Sequence, residues 1–147
     1  MPPTTERVTR QTSGESTTRI AGATAERVDA AASADRPWLD RRLEALDREW
    51  DIERVLEANA AAVSLIGLAL GRFVDRRFYL LPTAVAGFLL QHALQGWCPP
   101  LPLFRRLGIR TAKEIAEESL SLKFIRGDFA GVTNESQPRE ILRAVQR

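Results

Sequence analysis

Only one cysteine, Cys98, and one histidine, His92, occur in 147 residues. A single cysteine excludes an intrachain disulfide framework. One histidine beside it excludes a His/Cys zinc site within one chain. No metal, no cofactor and no catalytic residue are expected, because no complete catalytic constellation is present, and the chain reads as a non-enzyme. Lysine is nearly missing: arginine supplies all the positive charge except Lys113 and Lys123. The net charge of +2 is too small to argue for nucleic acid as a partner. Residues 1–34 hold no aromatic side chain and no apolar h-region, so a cleaved signal peptide is not expected. Any insertion into a membrane has to be driven by the centre of the chain.

That centre is apolar. Val55 to Gly71 gives 17 residues, about 26 Å as a helix. Extending it to Val74 brings it to about 30 Å, a full hydrocarbon thickness. Phe78 to Trp97 adds 20 residues free of charge, and Glu57 is the sole charge between Val55 and Gly71. Phe73, Phe78 and Tyr79 sit at one boundary and Trp97 at the other, where an interfacial aromatic belt belongs. The fold expected is all-α: a two-helix transmembrane hairpin with flanking amphipathic helices and a disordered N-terminal tail. A soluble helical bundle is the competing account, but it needs about 40 apolar residues covered by two short helices and some tails.

The segments divide as a disordered tail over 1–35, an amphipathic helix over 36–52, the hairpin domain over 53–111 and a helical C-terminal segment over 112–147. The tail is Thr-, Ser-, Ala-, Glu- and Arg-rich and buries too little to offset ordering entropy. Ala21 to Ala34 is at most transiently helical. Asp35 is a usable N-cap and Pro37 suits a first turn. Leu39, Leu43, Leu46 and Trp50 then recur at helical spacing. Such a helix either lies on a membrane surface or packs on another helix, and it is expected to run on through Ile52 into the first span. Thr111 opens a capping box with Glu114, starting a helix from Ala112 to about Arg126 with Ile115, Leu122 and Ile125 on one face. Gly127 is its C-cap, and a last helix covers Pro138 to Val145. Arg126-Gly127-Asp128 looks like an adhesion tripeptide by coincidence.

Arginine and lysine number eight on the terminal side (Arg41, Arg42, Arg48, Arg54, Arg105, Arg106, Arg110, Lys113) and three at the tip (Arg72, Arg76, Arg77). The positive-inside rule then places both termini in the cytoplasm. Small residues favour close helix packing in lipid. Ser64, Gly67 and Gly71 continue such a ridge from Ala60, and Thr83, Gly87, Gln91 and Gln95 form a second. The ridges either face each other or one mediates a homodimer. Folding at about Arg76 sets Glu57 level with Gln95, Asn59 near His92, and Cys98 level with Arg54. A polar cluster of Arg54, Glu57, Asn59, Gln91, His92 and Gln95 thus gathers at the open end, either functional or merely interfacial and solvated. Cys98 is either an apolar filler or a reactive thiol tuned by the cation at Arg54. Pro99 and Pro100 are expected to hold the chain beyond it extended.

Gly96-Trp97-Cys98-Pro99 followed by Leu107-Gly108-Ile109-Arg110-Thr111 resembles the signature of the YgaP-like inner-membrane domain family, and Glu53, Arg54 and Asn59 are similar to its first span. The resemblance covers roughly Asp51 to Thr111. It implies a two-helix hairpin in the bacterial inner membrane, found alone or fused to a rhodanese sulfurtransferase, with hairpins that self-associate. This chain departs in lacking a rhodanese domain, and prolines follow Cys98 in place of that domain's active-site loop. Sulfurtransferase activity is therefore not carried over. The function expected is an interaction or oligomerisation module associated with sulfur or thiol handling, its partners the lipid bilayer, a second copy or a sulfurtransferase. The alternative is a sulfane-sulfur carrier or redox sensor acting through Cys98.

Overall fold

The computed structural model describes residues 6–133 and 136–145. It is all-helical, with no strand among the described residues. The helices are α1 (Arg7–Arg10), α2 (Gly14–Ala31), α3 (Arg36–Arg48), α4 (Ile52–Phe73), α5 (Leu80–Gln95), α6 (Leu101–Arg106), α7 (Ala112–Arg126) and α8 (Pro138–Val145), with a 3-10 turn at Arg76–Tyr79 before α5. Two compact units form, one from Met1–Ile20 and Trp50–Lys113, the other from Ala21–Glu49 and Glu114–Arg147.

In the first unit α4 and α5 pack as an antiparallel hairpin. The chain reverses at Val74 and Asp75, where the Asp75 carboxylate accepts from the Arg77 backbone N–H at 2.8 Å. Close packing near the tip depends on glycine. A Cβ on Gly67 would lie 2.7 Å from Pro82 Cδ, and one on Gly71 would lie 2.8 Å from the Tyr79 ring. The α4 ridge therefore packs within the hairpin. The α5 ridge does not: Gly87 has nothing within 4 Å of a built Cβ.

At the open end Val8, Ile52, Leu56, Cys98 and Leu101 form a core, with Trp97, Phe104 and Ile109 against it. Pro99 and Pro100 do not leave the chain extended as expected. They turn it directly into α6, where Pro102 stands in the first turn and its missing N–H costs nothing. Arg105, one of the terminal-side cations, is fully buried. Its Nε donates to Thr12 Oγ1 at 3.2 Å and its Nη1 to the Ile109 carbonyl at 2.9 Å.

These contacts correct the reading of the N-terminal tail as disordered. Residues 14–31 are helical, and the segment is held by specific anchors despite its polar composition. Val8 and Ile20 are buried, Thr12 meets Arg105, and Arg19 donates to the carbonyls of Arg105 and Arg106. Residues 1–5 of the expected tail lie outside the described residues.

In the second unit Ala31, Leu39, Leu43, Leu46 and Leu122 form the core, flanked by Trp38 and Ile115. Asp35 caps α3 as expected, accepting from the Trp38 N–H at 3.0 Å. Of the two fates open to α3, packing on other helices is the one adopted. Trp50 does not join its buried face and is 48% exposed. Nor does α3 run on into α4: Glu49 is extended, and Asp51 starts a new helix by accepting from the Arg54 N–H at 2.8 Å. An aspartate whose carboxylate competes for a backbone N–H favours such a break.

Candidate functional site

The open end of the hairpin holds the candidate residues. α4 brings Glu53 and α5 brings His92, and His92 Nε2 lies 2.8 Å from Glu53 Oε2. His92 is buried, and its Nδ1 has no hydrogen-bond partner among the described residues. The ring is therefore oriented by a carboxylate, a contact the sequence register missed by pairing His92 with Asn59. Two geometric causes account for the slip. The chain reverses before Arg76, and the 3-10 turn rises about 2 Å per residue against 1.5 Å in an α-helix. Partners on α4 therefore come earlier in the chain than an all-α hairpin would give.

The other members of the cluster do not converge. Glu57, Asn59 and Gln95 are exposed and Gln91 is half-buried. None of these four side chains makes a hydrogen bond or ion pair among the described residues. Arg54 is exposed, with its guanidinium carbon 4.3 Å from the centre of the Trp50 ring.

Cys98 is at the expected depth but not beside Arg54. It packs with Ile52 and Leu56, the buried face of α4, and Arg54 lies between those two on the opposite side of the helix. Cys98 is 4% exposed. Burial pushes it above its ordinary range, the Leu101 N–H opposes that, and the negative charge of Glu53 adds to it. A thiol kept protonated and covered is a poor nucleophile, so of the two readings open from the sequence the fold builds the apolar filler rather than the accessible, cation-tuned thiol.

Cys98 does border a groove of about 140 Å³, lined by Leu56, Asn59, Ala60 and Val63 of α4, by Val85, Phe88 and Leu89 of α5, and by Pro100. The lining is apolar except at Asn59. No cluster of three or more metal-ligating side chains occurs among the described residues.

A second polar centre escaped the sequence reading. Glu118 of α7 is fully buried. Arg27 Nε lies 3.1 Å and Arg42 Nη2 2.7 Å from its carboxylate oxygens. The signal was present, since Glu118 sits three residues after Ile115 and four before Leu122, on the apolar stripe itself. Ile125, expected on that stripe, is exposed. The Arg126-Gly127-Asp128 tripeptide is used internally: Gly127 adopts a φ of 87°, and Arg126 pairs with both Asp128 and Asp40. Arg126 holds the Asp128 carboxyl below its ordinary range.

Compared with known proteins, the chain matches no family model, no curated protein and no solved structure.

Proposed function

We propose that residues 53–111 form a transmembrane hairpin and that the chain is a non-enzymatic interaction or oligomerisation module of the bacterial inner membrane, with both termini in the cytoplasm. The observation that carries this is the bare apolar surface of α4 and α5. Leu65 is 67% exposed, Leu80 72% and Leu90 63%. Ile66, Leu68, Phe88, Leu89 and Leu94 are exposed beside them. Soluble proteins rarely leave such contiguous patches uncovered.

Length agrees. The segment Arg36–Phe73, which ends in α4, contains an apolar window long enough to cross a membrane, and only 22% of that window is buried. A core helix of a soluble protein is mostly buried. α4 has 22 residues, about 33 Å at 1.5 Å each. Phe78 and Tyr79 of the 3-10 turn and the 16 residues of α5 reach about 28 Å together. Both match a hydrocarbon core of about 30 Å.

The Gly96-Trp97-Cys98-Pro99 motif supports placing this hairpin with the YgaP-like domains, and through them near sulfur or thiol handling with a sulfurtransferase as partner. The open space at Gly87 supports a homodimer, since it leaves a small-residue face of α5 free for a second helix. The buried thiol counts against Cys98 as a sulfur carrier.

A single-cysteine variant tests the topology. Val74→Cys in a Cys98→Ala background places a thiol at the exposed tip. Labelling by a membrane-impermeant maleimide applied outside intact spheroplasts is expected. Labelling only after lysis would reverse the orientation, and recovery of the chain in the soluble fraction would remove the hairpin.

A further inference from the structure

Resting on the membrane reading above, we propose that the hairpin tip is a binding site for the head groups of anionic phospholipids. Three arginines, Arg72, Arg76 and Arg77, stand exposed within six residues. None of their guanidiniums makes a hydrogen bond or an ion pair among the described residues. The one carboxylate of the tip, Asp75, is exposed, accepts from the Arg77 backbone N–H through Oδ1 and makes no ion pair with the three.

Exposed arginines without an ion pair occur elsewhere too, including Arg36, Arg41, Arg54 and Arg106, but among the described residues not three of them within six positions, and other arginines are engaged. Arg27 and Arg42 hold Glu118, Arg48 pairs with Glu44, Arg126 pairs with Asp128, and Arg105 is bound to Thr12 and a carbonyl. The tip thus keeps three five-donor forks without an anion of their own, apart from the Arg72 carbon lying 5.5 Å over the Phe73 ring.

What surrounds the three decides which anion fits. Phe73 is 81% exposed and Val74 69%, and Phe78, Tyr79 and Leu80 are exposed too. A free phosphate or an acidic peptide would leave this apolar collar in water. A phospholipid satisfies both parts at once: its acyl chains cover the collar and its phosphodiester oxygens meet the guanidiniums in paired hydrogen bonds. Head-group phosphate also lies at the depth reached by the end of a helix that crosses the hydrocarbon.

The test uses the full chain in phosphatidylcholine liposomes carrying spin-labelled phosphatidylglycerol or spin-labelled phosphatidylcholine. The motionally restricted fraction of each lipid is read. The wild-type chain is expected to prefer phosphatidylglycerol, and Arg76→Gln with Arg77→Gln to reduce that preference by about tenfold at low salt. Arg76→Lys with Arg77→Lys, which keeps the charge but loses the fork, is expected to retain part of it. A double glutamine variant with wild-type preference overturns the proposal, as does a preference abolished by Arg54→Gln with Arg106→Gln alone. Failure of the chain to float with either liposome overturns the membrane reading instead.

Discussion

A methyl group at Gly67 would meet the rigid ring of Pro82 at 2.7 Å, whereas one at Gly87 would meet nothing. The same substitution is therefore expected to act oppositely at two glycines of one hairpin. Gly67→Ala should destabilise it by about 1–3 kcal/mol through overpacking. Gly87→Ala should be neutral or stabilise it by up to about 1 kcal/mol, because alanine favours helix. Thermal unfolding in detergent, followed by far-UV circular dichroism, reads both. At the same scale Cys98 is expected to react with maleimide at pH 7.5 at least about 100-fold more slowly in the folded protein than in denaturant. Glu53→Gln, which keeps an acceptor for His92 but removes the charge, is expected to speed the reaction slightly; a fast folded-state reaction would show the thiol to be open. The sequence placed Cys98 at the right depth, but it could not say which face of α4 would meet it. Residues 52, 54 and 56 lie within about 6 Å of one another along α4, and only packing chooses between Ile52 with Leu56 and Arg54.

The elements were legible where capping and periodicity agreed. Asp35 caps α3, and the stripe of Leu39, Leu43 and Leu46 is buried as its spacing predicts. They were not legible where distant partners supply the order. α2 has little apolar surface, and its neighbours Val8 and Thr12, with its own Arg19, fasten the segment to groups about 40 to 90 residues away. Composition alone cannot report such anchors. α7 carries the matching lesson, because Glu118 interrupts an apolar stripe and reads as a surface charge until two arginines are seen around it. Arg42→Ala leaves part of a fully buried carboxylate uncompensated and is expected to cost about 3 kcal/mol. Arg41→Ala, on the exposed side of the same helix, is expected to stay within about 0.5 kcal/mol. Chemical denaturation of the two variants beside wild type checks the contrast, and equal losses would remove Glu118's partners from the account of stability.

For the molecule, the bare face of α4 and α5 is the governing fact. The two apolar runs and the turn between them were readable from hydropathy, and the helices fall within a few residues of the runs. The missing part was register, since a 3-10 turn and an early reversal bring Glu53 to His92. The direct measurement is fractionation of cells expressing the full chain, followed by alkaline carbonate washing of the membranes. The expected result is a chain that stays in the washed membrane pellet and is released only by detergent. A chain recovered in the soluble fraction, or stripped from membranes by carbonate, would contradict the transmembrane hairpin and leave its apolar face to be covered by protein.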